Sequence, residues 1–252
     1  MDNKYIATEF HDFIGMITLN NPVSLNTVGE GMIHELALQI SDFEKNPEVK
    51  AIVIRGTEKS FAAGLDIEEL AKHPEAARSV IHHMQKDFQV LLCAEKPIIS
   101  LVSGFALGIG CEIVLCSDIV LATDNARFGL PELSIFLLPC FGGCRLLSQR
   151  VGKAIAADMI LTGRALSAEE AERHGLVSRI VTFSALMEES IKITRRLTNI
   201  PQNLLSTVKR LTKDNTVLSD LFLEQQLSLD CLDSEKFHQI LTRTLSQNAI
   251  KA

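Results

Sequence analysis

Two glutamates, Glu112 and Glu132, and the glycines around them have the types and spacing that could do chemistry. Seven of the 14 glycines fall between Gly64 and Gly143. Five of these seven lie in three segments: Phe61-Ala62-Ala63-Gly64-Leu65-Asp66-Ile67, Ser103-Gly104-Phe105-Ala106-Leu107-Gly108-Ile109-Gly110-Cys111-Glu112, and Phe128-Gly129-Leu130-Pro131-Glu132. Each follows a strand-like stretch, and the first two run into helices. Glycine lets such a turn bend tightly and lets a ligand approach the main chain. The helix that follows opens with free N–H groups at the positive end of its dipole. Leu65 and Ile109 sit at these turns. Two such donors converging would make a hole for an oxygen that becomes negative during reaction, and losing one donor of this kind costs roughly 3–4 kcal/mol.

Glu112 lies three residues after Ile109, so on a helix both share one side, a turn apart. Glu132 lies in the apolar stretch LPELSIFLLPCF. A charged glutamate buried there is costly, so it should be paired, hydrogen-bonded or shifted in pKa. Two glutamates in one small apolar pocket could divide acid and base work. Taken singly, the segments also read as ordinary turns, Glu112 as a helix-surface acid, and Glu132 as a helix-start residue after Pro131. Asp66, Glu68 and Glu69 read as first-turn helix residues, and His82-His83 as a solvated face shared with Lys86 and Asp87. Gly108-Ile109-Gly110 is not a nucleotide fingerprint, because Ile113 takes the place of that pattern's third glycine.

The elements that must position these residues alternate in the first half. Residues 4–8 and 13–19 read as paired strands about a turn at His11-Asp12. A helix is predicted over 30–45, a strand over 51–55, a helix over about 75–92 and a strand over 98–102. A helix opens near Gly108, and a strand covers 118–122. Beyond residue 144 the periodicity predicts helices over 144–151, 153–162, 167–174, 184–198, 201–212 and 217–247, with only 178–182 extended. Strands separated by helices argue for a layered α/β body. The expected division is an α/β core over 1–182, carrying the site, and a helical region over 183–252. That region is expected to cover the pocket or a neighbouring subunit; folding back on its own core fits the pattern equally.

The chain has 252 residues, 46% of them apolar, and a net charge of −6. No basic run or basic helix face is evident, which argues against a nucleic-acid or anionic-membrane partner. The N-terminal MDNKYIATEF lacks the features of a signal peptide, and no apolar run reaches about 18 residues, so a cytoplasmic protein is expected. The six cysteines (93, 111, 116, 140, 144 and 231) show neither a CxxC pair nor a zinc-finger spacing, and read as reduced thiols acting as small apolar residues.

Several segments in this order resemble the crotonase superfamily, the enoyl-CoA hydratase/isomerase family. They are SFAAGLDI (60–67), KPIISLVSGFALGIGCEIVLCSDIVLA (96–122), ARFGLPEL (126–133), GGCRLL (142–147) and ALSAEEAERHGLVSRIV (165–181). The resemblance implies an α/β fold, a crotonase-like spiral of ββα turns with a C-terminal helical region, assembled as a homotrimer or homohexamer. It implies an acyl-CoA thioester whose carbonyl is held by the N–H groups of Leu65 and Ile109. Glu112 and Glu132 would then handle the attacking water and the proton delivered to the alpha carbon. Ala63, Gly64, Asp66 and Ile67 would contact the CoA portion, Ser24 would close over the base, and Gly110 would lie beside the substrate. The implied reaction adds water across a 2-enoyl-CoA to give a 3-hydroxyacyl-CoA, with no metal or redox cofactor and CoA entering as part of the substrate. A double-bond isomerase, another acyl-CoA lyase or a catalytically weak CoA-binding paralogue are the alternatives. Phe136-Leu137 and Cys140-Phe141 are larger than the residues usual there, which predicts a narrowed pocket.

Overall fold

A computed structural model of the chain describes residues 5–212 and 217–251. It begins with the hairpin β1 (Ile6–His11) and β2 (Ile14–Leu19), then α1 (Glu30–Lys45), β3 (Ala51–Arg55), β4 (Ser60–Ala62), α2 (Ile67–Lys72) and α3 (Ala77–Cys93). Next come β5 (Ile98–Val102), β6 (Phe105–Leu107), α4 (Ile109–Leu115), β7 (Ile119–Ala122) and β8 (Arg127–Gly129). A 3-10 turn, Glu132–Ile135, leads toward α5 (Gly143–Val151), α6 (Lys153–Thr162), β9 (Leu166–Ser167), α7 (Ala168–Arg173) and β10 (Arg179–Ile180). The chain closes with α8 (Phe183–Leu197), α9 (Gln202–Thr212), α10 (Val217–Leu232) and α11 (Glu235–Lys251).

The strands form two sheets. One has six strands in the order β1-β2-β3-β5-β7-β10, and the other has four in the order β4-β6-β8-β9. The central strands of the large sheet are parallel and covered on both faces, which is why AIVIR and IISLV are near-continuous apolar runs. Ile52, Ile54, Ile98 and Val120 turn toward α1 and α3 and join the main core, with Leu36, Ile40, Met84 and Phe88. Ala51, Val53, Ile99 and Leu121 point the other way and pack under Leu186 and Ile193 of α8.

Several expectations from the sequence are corrected here. Residue 4 of the first expected strand lies outside the described residues. The hairpin turn falls on Asp12-Phe13, not His11-Asp12, because both take positive φ (49° and 66°), as a two-residue type I′ turn requires. The stretch 217–247 is two helices; after Leu232 the chain turns, and Ser234 Oγ accepts from Phe237 N at 3.2 Å to start α11. The small sheet was not read at all, since β4, β6 and β8 have three residues each and β9 two, too few for a period to register. The C-terminal helices fold back on their own chain: α10 packs on α3 and α5, and α11 on α2.

Candidate active site

The small sheet brings the three glycine segments together. β4, β6 and β8 run parallel, with Ala62 opposite Ala106 and Leu107 opposite Gly129. Parallel strands release their following segments at the same end, where ligands of α/β sheets bind. Gly64-Leu65, Gly108-Ile109 and Leu130–Glu132 therefore leave side by side, and Gly108 N donates to Gly129 O at 2.9 Å. A methyl group placed on Gly108 would lie 3.4 Å from Gly64 Cα and 2.9 Å from Glu132 Oε1. The first two turns thus abut, with the Glu132 carboxylate over the second. Their φ angles, 116° at Gly64 and 52° at Gly108, are ones that L side chains rarely adopt.

Two main-chain donors open at these turns. Val28 N donates to Gly64 O and Asp66 N to Val28 O, so Leu65 is bridged to Val28 through its neighbours and its own N–H is left over. Ile109 is the first residue of α4, where the N–H has no acceptor inside the helix. Among the described residues, neither N–H has a hydrogen-bond acceptor. The β-branched Ile109 side chain is buried in the main core. Gly110 lets α4 press against β4, since a Cβ there would meet Ala62 O at 2.3 Å.

Both glutamates are buried, Glu112 at 1% exposure and Glu132 at 9%. Glu112 stands on the first turn of α4, and its Oε1 accepts from Phe141 N at 2.9 Å and Gly143 N at 2.8 Å. Burial and then the neighbouring Glu132 charge raise its pKa well above the usual carboxylate value, against the pull of those two N–H groups. Glu132 follows Pro131 at the start of the 3-10 turn, and its Oε2 is buried with no hydrogen-bond partner among the described residues. Burial first, with Glu224 adding to it, pushes Glu132 up to about 7. Both carboxyls are thus shifted upward from the ordinary carboxylate range, the direction that acid–base work near neutral pH requires.

The larger residues nearby are accommodated in different ways. The Phe141 ring packs in the core 5.1 Å from that of Phe88, leaving its N–H for Glu112. Leu137 and Cys140 are buried. Phe136 takes a positive φ of 57°, is 48% exposed, and lies under Lys236 Nζ of α11 at 5.1 Å from its ring centre.

The other expected site residues surround the Leu65 turn. Asp66 caps α2, with Oδ1 accepting from Glu69 N at 2.9 Å and Oδ2 from Thr27 Oγ1 at 3.3 Å. Ala63 N donates to Leu25 O, and Ile67 N to Leu65 O. Ser24 ends the 3-10 turn Pro22–Ser24, and its Oγ donates to Asn21 O at 3.2 Å. Sequence reasoning missed Glu224 of α10, a third acid beside the pair, which accepts from Cys144 N at 2.8 Å and Arg145 N at 3.2 Å. Its neighbours Gln225 and Ser228 are buried, so a polar stripe on an otherwise apolar helix was the available signal.

Comparisons with known proteins identify the family and the fold. The family described as enoyl-CoA hydratase/isomerase matches residues 9–245. A probable enoyl-CoA hydratase of Rhizobium meliloti is 39% identical over 197 residues, covering 78% of this chain and 76% of that one. A short-chain-enoyl-CoA hydratase of Clostridium acetobutylicum is 32% identical over 256 residues, covering 100% of this chain and 98% of the relative. Among solved structures, an enoyl-CoA hydratase/isomerase from Mycobacterium paratuberculosis superposes with a TM-score of 0.87 at 26% identity, covering 96% of this chain and 100% of that one. With its α/β spiral, paired buried glutamates and open main-chain donors, the chain belongs to the enoyl-CoA hydratase/isomerase family.

Proposed function

We propose that this protein is an enoyl-CoA hydratase, adding water across the double bond of a 2-enoyl-CoA to give a 3-hydroxyacyl-CoA. The observation that carries the reading is that both glutamates are present, buried and raised in pKa at the mouth of two turns with free N–H groups. Water oxygen bonds to the beta carbon while one glutamate takes a water proton. The π electrons move toward the thioester, giving an enolate oxygen that the N–H groups of Leu65 and Ile109 stabilise. The protonated glutamate delivers its proton to the alpha carbon, which completes the addition. Electrons balance without a redox partner, and the N–H groups perform the polarisation, so CoA enters only as part of the substrate. Ala63, Gly64, Asp66 and Ile67 line the path of the CoA chain beside Leu65, with Ser24 toward the base and Gly110 beneath the thioester.

Assembly and location belong to the same proposal. Leu204, Val208 and Leu211 form an exposed apolar stripe along α9, 54%, 59% and 80% exposed, which supports a homotrimer or homohexamer. Among the described residues no helix is long and apolar enough to cross a membrane. All six cysteines are free, which fits a reducing compartment such as the cytoplasm. The test is absorbance at the enoyl-thioester band over a panel of acyl lengths. Loss of the band with a 3-hydroxyacyl-CoA product supports the reading. A gain of the band from 3-enoyl-CoA, with no loss from 2-enoyl-CoA, would replace it with isomerisation, and no change on any substrate would leave only CoA binding.

A further inference from the structure

Glu224 on α10 is a half-buried acid to which the hydration scheme assigns no task. Its two oxygens take the N–H groups of Cys144 and Arg145, the second and third residues of α5. The first residue, Gly143, gives its N–H to Glu112 Oε1. The opening turn of α5 is therefore shared between two carboxylates that arrive from α4 and α10. Helix α10 is itself latched to α3: Gln85 Nε2 donates to Ser228 Oγ at 3.2 Å, and Arg78 NH1 donates to Leu229 O at 2.7 Å, while Gln85 Nε2 also reaches Cys140 O, ahead of α5, at 2.9 Å.

The geometry points to Glu224 as a positioning residue for the hydration chemistry. By fixing the N–H groups of Cys144 and Arg145, it sets the turn whose remaining N–H, from Gly143, aims Glu112 at the substrate. Its charge acts as well, raising the pKa of both Glu112 and Glu132. The groups facing this cluster are Glu112 and Cys111 of α4, Glu132 at the start of its 3-10 turn, Cys140, Cys144 and Arg145 of the 139–145 segment, and Cys231 of α10 itself. Burial pushes the Cys111, Cys140 and Cys144 thiols up, so they stay neutral and the three carboxylates dominate the local field. The inference rests on the reading of Glu112 as one of the hydration pair.

Two variants separate the hydrogen bonds from the charge. Glu224→Gln keeps the size but leaves one acceptor oxygen and no charge; Glu224→Asp keeps the charge but shortens the reach. Both should lower kcat about tenfold with KM little changed. Glu224→Gln should also move both limbs of the kcat–pH profile toward lower pH, because a lost negative neighbour lets Glu112 and Glu132 ionise earlier, whereas Glu224→Asp should leave the limbs in place. A residue serving stability alone would lower the melting temperature and move neither kcat per folded molecule nor the pH limbs. Folded Glu224→Gln with wild-type kcat and pH profile overturns the proposal. If Glu224→Gln does not fold, carboxyl-carbon NMR titration of the wild-type protein replaces it: the three acids should titrate as one coupled set, and independent titration of Glu224 overturns the proposal. That titration needs no turnover, so an inactive wild-type protein would reject the hydratase reading while leaving this inference testable.

Discussion

In the six-stranded sheet, β3, β5 and β7 bury side chains on both faces, and their main-chain groups are taken up by neighbouring strands. In the four-stranded sheet, β4, β6 and β8 pair briefly and then release the chain at Gly64, Gly108 and Leu130, with the N–H groups of Leu65 and Ile109 unspent. The first region follows the usual rule that buried polar groups are satisfied, and the second breaks it at two amides and one carboxylate oxygen. Stability and chemistry are thereby kept apart in one chain. Departures of this kind cluster where a protein works, and the rest of the structure supports them.

Changes to the two regions should therefore read out differently. Apart from changes to the two acids themselves, the largest effect is expected from Gly108→Ala, which puts a methyl group at a φ of 52° and 2.9 Å from Glu132 Oε1. It should cut kcat/KM about 100-fold with the fold retained by circular dichroism, the size expected when a donor or acid is displaced by a fraction of its proper position. An unchanged kcat/KM would mean that this turn does not belong to the site.

A smaller effect concerns stability against pH. Glu132 ionises near 4.5 when unfolded but is pushed up to about 7 when folded, so the native state binds the proton more tightly. Its contribution is fully present below pH 4.5 and is lost as pH rises through about 7. Glu132→Gln has no such loss. Relative to wild type it should gain about 1–3 kcal/mol between pH 5 and pH 9, measured as a widening difference in melting temperature. A difference that stays constant across that range would place Glu132 in a far wetter setting.

The smallest effect belongs to the large sheet. Ile99 is fully buried under α8, and Ile99→Val should cost about 0.5–1.5 kcal/mol in denaturant unfolding while leaving kcat untouched. If that substitution altered kcat as much as Gly108→Ala, the separation of the two regions would fail.

Legibility in the sequence follows the same division. Residues 30–45, 51–55, 98–102 and 153–162 were readable to the residue, because long runs carry a period and a two-faced burial leaves an uninterrupted apolar signature. The site turns were readable for another reason: only certain residues tolerate the backbone at 64 and 108, so glycine marks them. The three-residue strands that set these turns side by side carry no period, and parallel pairing between separate segments (Ser60 with Phe105, Phe105 with Arg127) leaves no local trace. For Glu224 the polar stripe it shares with Gln225 and Ser228 was the only trace, since its role depends on α10 folding back onto α5, a contact that spacing along the helix does not encode.

The account stands or falls on the two buried acids acting together. Steady-state turnover of a 2-enoyl-CoA by Glu112→Gln, Glu132→Gln and the double variant tests this most directly. Each single change should lower kcat by about 10²–10⁴, and the double variant should be scarcely worse than either, since the two groups serve one proton-transfer cycle. A well-folded single variant that keeps wild-type turnover would contradict it.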